Sequence, residues 1–240
     1  MKQYHHHIIC PSNDHMLTKA IAFVSAILID VFQEETILSG DLCVVYNDPK
    51  GKGPVLMTQP PLSIRLCIDN PYDVCTLIGQ LVHELVHYIF HQRKQDKNKL
   101  ARRYEEIVAE AVTLYVLKIA GSYYPLSSID FEVVQADNFE LYFQQKHAYY
   151  ERNKWPITKP VSESRWRLLE MRSTHFRERH YQEVLRLFDQ LHQPDFMAKS
   201  ILDYTPYLRA NGSLDLVAWQ QDDTSQTIAF LRHLQPIIKE

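Results

Sequence analysis

The sequence predicts an α+β protein, a small sheet with two long core helices followed by a mainly helical C-terminal part. Three observations carry that expectation. Short strand-like runs bounded by glycine and proline fall within the first 70 residues. Two long apolar runs with helical spacing then follow, from about residue 71 and from residue 100. Beyond residue 123 the spacing of apolar positions is helical almost throughout.

In order, the elements are a strand near Gln3 to Cys10 and an amphipathic helix from Ser12 or Asn13 to Gln33. Strands follow near Leu42 to Asn47 and Ser63 to Asp69, with Pro-Lys-Gly-Lys-Gly-Pro at 49–54 and Pro60-Pro61 as turns between them. The next helix opens with Asn70 as cap, Pro71 in the first turn and Asp73 as a first-turn acid, and it runs to about Arg93. Another spans Leu100 to Ala120, with Gly121 as its C-cap. After a break at Gly121, Ser122 and Pro125 to Ser128, helices are expected near Phe139 to Asn153, Ser162 to Gln190 and Leu214 to Leu234. The expected division is a metal-binding catalytic domain over 1–122 and a helical subdomain over 123–240 that forms the other side of its cleft.

Composition narrows the class. A hydrophobic fraction of 45% with 23% charged residues is that of a globular chain. A net charge of −3 gives no reason to expect nucleic acid or an anionic membrane as partner. The arginine-rich stretch 161–192 sets Arg165, Arg167, Arg172, Arg177, Arg179 and Arg186 against Glu163, Glu170, Glu178, Glu183 and Asp189, which is a solvated helix of mixed sign. Cys10, Cys43, Cys67 and Cys75 show no C-x-x-C spacing and read as small core residues. The apolar stretch Ala20 to Ile29 is too short to span a bilayer, and no export signal is visible, so the expected location is the cytoplasm. His5-His6-His7 on a strand would alternate faces and is read as an incidental surface cluster.

His83-Glu84-Leu85-Val86-His87 is the most informative string. Histidines four apart on a helix lie about 40° apart in azimuth and about 6 Å apart along the axis, which suits two imidazoles on one zinc ion. Glu84 lies off that line, within reach of a water at the metal. A catalytic zinc needs a third protein ligand and an open position. His91 is a further turn on, so the three histidines would span about 12 Å of one straight helix, too long for one ion. The metzincin continuation fails, because Phe90 and Arg93 stand where its glycine and third histidine would be. The next helix offers Glu106 and Glu110 on one face, with Glu105 about 100° away. Two carboxylates on an apolar helix are costly to bury unless something positive meets them.

HExxH followed by a glutamate helix of the form Glu-x-x-x-Glu resembles the gluzincin zinc metallopeptidases, with local similarity to lethal-factor-like and small repressor-cleaving members. The resemblance covers residues 70 to 120. It implies a minimal zincin-like domain in which Zn²⁺ is held by His83, His87 and Glu106, with Glu84 as general base and Glu110 orienting a ligand histidine. An alternative registration makes Glu110 the direct ligand. The implied activity is hydrolysis of a peptide or protein substrate, with neither nucleic acid nor membrane as partner and the oligomeric state open. An edge strand beside the active helix would pair with extended substrate, and the strand at 63–69 is the candidate, with 42–47 as the alternative edge. For the proton donor to the developing oxyanion, Tyr149, Tyr150, His175, His180 and Tyr181 are unranked. The competing function is a zinc-binding but inactive interaction or regulatory protein with the same fold.

Overall fold

The fold is α+β, and the computed structural model describes residues 7–11, 14–70, 72–94, 101–122, 136–154, 160–171, 180–236 and 238–239. They pack as two compact units that are discontinuous in sequence, Met1–Gln92 with Val112–Gln145, and Arg93–Ala111 with Lys146–Glu240.

The first unit holds a four-stranded sheet. Its strands are β1 (Ile8–Ile9), β2 (Cys43–Asn47), β3 (Val55–Met57) and β4 (Leu62–Leu66), in the order β1-β2-β4-β3. β1, β2 and β4 are parallel and β3 runs antiparallel to β4. Cys43 and Val45 alternate with half-buried neighbours, as do Leu62, Ile64 and Leu66, so the period-2 pattern turns one face of the sheet to the core. Helix α1 (His15–Phe32) makes the crossover that parallel β1 and β2 require. Asp14 caps it by accepting the Leu17 N–H at 3.0 Å, while Ser12 and Asn13, the expected caps, lie outside the described residues. Leu17, Ala20, Ile21, Val24, Leu28, Ile29 and Phe32 form its buried stripe. By length and composition α1 as a whole could cross a membrane, a property it shares with buried core helices.

Two strand expectations need correction. The segment at 63–69 is not an edge, because β4 lies between β2 and β3, and β2 is likewise interior. The sheet's second edge is β3, three residues between Pro54 and Pro60 that are too few to show a period. β4 also ends at Leu66. Beyond it, side-chain amides replace strand partners: Gln80 brackets the Cys67 backbone at 2.8 and 3.1 Å, and Asn47 brackets that of Ile68 at 2.9 and 3.0 Å.

Helices α2 (Val74–Arg93), α3 (Arg102–Ser122) and α4 (Ala136–Asn153) follow. The cap of α2 is Asp73 rather than Asn70, since its carboxylate accepts the Thr76 N–H at 3.0 Å, while Pro71 lies outside the described residues. α3 continues through Gly121 to Ser122, so that glycine is not its cap. A Cβ on Gly79 of α2 would stand 3.9 Å from Thr113 and Leu117 of α3 and from Tyr142 of α4, ordinary contact for closely packed helices.

In the second unit, the helix expected over 162–190 is described as α5 (Glu163–Met171) and α6 (Tyr181–Leu191), with 172–179 outside the described residues. That expected over 214–234 is two helices, α7 (Leu216–Asp222) and α8 (Gln226–Leu231), because Asp215 and Ser225 each cap a new start. Short 3₁₀ turns at Ala198–Leu202 and Thr205–Tyr207 and a parallel pair, β5 (Val161–Ser162) with β6 (Ile238–Lys239), complete it. Its core is built on Val184, Leu187, Ile201, Tyr204, Trp219 and Ile228. Tyr104 and Arg103 tie the start of α3 into this core through the Ile201 and Leu234 carbonyls, each at 2.7 Å.

Candidate metal centre

Helix α2 is buried nearly all round, so its histidines are held by apolar neighbours rather than by solvent. Val82, Leu85 and Val86 are fully buried, His83 is 5% exposed and Glu84 4%. The one-turn spacing brings the two Nε2 atoms to 3.2 Å, with ring planes 72° apart. Zinc with arms of about 2.0–2.1 Å sets tetrahedral ligand atoms about 3.3 Å apart, so the observed separation matches that edge.

Glu106 completes the group. One ligand atom from each of His83, His87 and Glu106 lies within 4.8 Å of the other two. His91 is buried on α2 but does not belong to this group. Glu84 is a different case: among the described residues, no hydrogen-bond or ion-pair partner meets its buried carboxylate.

Glu110 is also buried, at 2% exposure, and its Oε2 accepts the Tyr150 hydroxyl and pairs with Lys146 at 3.3 Å. Lys146 lies 5.3 Å above the Tyr150 ring, which stacks on Tyr181 at 4.1 Å between centroids. Of the five candidate oxyanion donors, Tyr150 has its hydroxyl on Glu110, Tyr181 and His180 are buried, Tyr149 is exposed, and His175 lies outside the described residues. His5 and His6 also lie outside them, and His7 is exposed.

Glu105, which sequence reasoning left without a partner, is a third buried carboxylate of α3. It is paired with Lys94 at 2.8 Å and hydrogen-bonded by Tyr204 at 2.5 Å. The available signal was that a third carboxylate on so apolar a helix needs its own cation. Arg103 next to it pairs with Glu183 at 3.0 Å and gives its backbone N–H to Glu170 at 2.9 Å. Burial pushes the Glu170 carboxyl up to about 7, with Arg103 opposing the rise, and it pushes the Tyr104 and Tyr204 hydroxyls well above the usual phenol range. Burial also raises the thiols of Cys43 to about 12 and Cys75 to about 11, as befits core residues rather than metal ligands.

No family model, curated protein or solved structure matches the chain.

Proposed function

We propose that this protein is a zinc-dependent metallopeptidase of the gluzincin type that acts in the cytoplasm on a peptide or protein substrate. The observation that carries the reading is the convergence of His83, His87 and Glu106, each offering a ligand atom within 4.8 Å of the others, beside a buried Glu84. The donor set fits zinc. Two imidazoles and one carboxylate are a catalytic set that leaves a position open, whereas structural zinc sites favour cysteine. Zinc bound there would supply a Lewis acid for a scissile carbonyl and bring the pKa of a water toward about 7.

The chain's own part is proton transfer and positioning. Glu84 takes the proton of the attacking water and returns it to the departing amine, a role that its place on α2 directly after His83 allows. Glu110, held by Tyr150 and Lys146, is fixed in place to orient a ligand on the same centre. With β4 interior, the free edge of β3 takes over the role of pairing with extended substrate. The four cysteines stand as thiols, in keeping with a reducing compartment.

Metal analysis and one substitution test this reading. The purified chain should carry about one zinc, and His83→Ala or His87→Ala should lose most of it. Glu84→Gln should keep the zinc while hydrolysis of a quenched-fluorescent peptide library falls by about 10²-fold or more. Zinc content unchanged in both histidine variants, or full activity in the Gln variant, sinks the proposal.

A further inference from the structure

The loop Asp48 to Gly53, which leads into β3, gathers cations that the proposed chemistry does not use. Lys50 and Lys52 are exposed on it. Arg65 belongs to the inner strand β4, opposite Val55, and gives Nη2 to the Gly53 carbonyl at 3.3 Å. A Cβ on Gly51 would fall 3.0 Å from Arg65 Nε and 2.8 Å from Cys67 Sγ, so the loop backbone lies directly against the guanidinium. Gly53, at φ +121°, leaves the space on its own side open. Asp48 is the loop's one acid, and its carboxylate accepts the Lys50 backbone N–H at 3.2 Å. Three positive charges therefore face one negative charge.

The decisive atom is Arg65 Nε. It is buried, and no acceptor meets it among the described residues. An unmet N–H on a cation is costly, and with Nη2 on the Gly53 carbonyl and Nε under Gly51 the guanidinium has no carboxylate among the described residues to balance it, which leaves its charge for an acidic group brought to the loop. Lysines alone could serve to keep an exposed edge strand from pairing with other chains. Arg65 is not on the edge, so that purpose does not account for it. The loop is also anchored to the motif helix, since Gly51 rests on Cys67 and Gln80 clamps the Cys67 backbone one turn before His83.

We propose that Lys50, Lys52 and Arg65 form a subsite for an acidic side chain of an extended polypeptide laid along the free edge of β3. The substrate class is thus an acidic segment of peptide, an assignment that rests on the peptidase reading of the centre. Backbone pairing supplies binding without sequence preference, and the cationic loop supplies the choice.

The experiment measures binding and cleavage separately, on the full chain with zinc. A fluorescein-labelled Thr-Val-Glu-Val-Thr peptide and its Gln and Lys counterparts are titrated by fluorescence anisotropy, with a duplex oligonucleotide as a competing polyanion. The Glu peptide should bind about tenfold tighter than the Gln peptide, and the Lys peptide weakest. Arg65→Gln should abolish the preference. Lys50→Ser with Lys52→Ser, on an exposed loop that puts no core packing at risk, should reduce it severalfold, and Lys154→Ser should leave it intact. Equal binding of the Glu and Gln peptides, no binding of either, or displacement by the oligonucleotide at lower concentration than by unlabelled Glu peptide overturns the subsite. Mass spectrometry of the same mixtures reads the peptidase proposal independently. Acid-selective binding without cleavage retains the subsite and removes the peptidase, whereas cleavage indifferent to Glu or Gln does the reverse.

Discussion

At the scale of single residues, the chemistry of α3 turns on three glutamates that share burial but not partners. Glu105 meets Lys94 and Tyr204, Glu110 meets Tyr150 and Lys146, and Glu106 joins His83 and His87. Carboxylates four apart share a helix face, so sequence alone left Glu106 and Glu110 exchangeable as the direct ligand. The partners separate them, because Glu110 already has a hydroxyl and an ammonium on one oxygen. Glu106→Ala is accordingly expected to lose most of its zinc. Glu110→Ala should keep a zinc site weakened by about 10- to 100-fold, the loss typical of removing a group that orients a ligand. Competitive chelator titration of both variants measures this, and a Glu110 variant that loses its zinc while the Glu106 variant keeps it would reverse the registration.

At the scale of elements, α3 depends on a cap supplied from far along the chain. Arg103 lies in its first turn, where backbone N–H groups have no helical acceptor, and Glu170 of α5 supplies one. The folded state holds this carboxyl at about 7 against a usual 4.5, so it favours the protonated form. The contribution to stability is therefore fully present below about pH 4.5 and is lost as pH rises through 7. It amounts to about 3 kcal/mol at most. Glu170→Gln keeps the acceptor and removes the titration. Urea unfolding of the wild type should weaken relative to this variant between pH 4.5 and 7.5, and parallel curves would show that the carboxyl is not shifted. No local pattern announces such a cap, since Glu170 is 67 residues from Arg103. What the sequence did disclose was local: the one-turn spacing in α2, the buried stripe of α1, and the period-2 runs of β2 and β4. It missed β3, too short for a period, and the interior place of β4, which follows from pairing rather than from pattern. It also missed the break at Ser225, where a new cap interrupts an otherwise continuous apolar spacing.

At the scale of the whole molecule, the balance of buried charge points toward a bound cation. Among the described residues the buried side chains include six glutamates, at 84, 105, 106, 110, 170 and 183, against Lys94 and Arg103 as buried permanent cations and the half-buried Lys146 on Glu110. Buried carboxylates beyond those the cations can pair are costly, and a divalent ion at His83, His87 and Glu106 would offset part of that cost. Because such a site exists only in the folded chain, binding there adds directly to stability. At zinc a hundredfold above its dissociation constant the gain is about 2.7 kcal/mol, or about 5 to 10 °C in Tm for a chain of this size. Differential scanning calorimetry should therefore show a lower Tm in chelator, restored by added zinc. The His83→Ala, His87→Ala double variant should melt at one temperature in both conditions. If the wild type melts identically with chelator and with zinc, these three side chains do not hold a metal, and their burial must be balanced by protons instead.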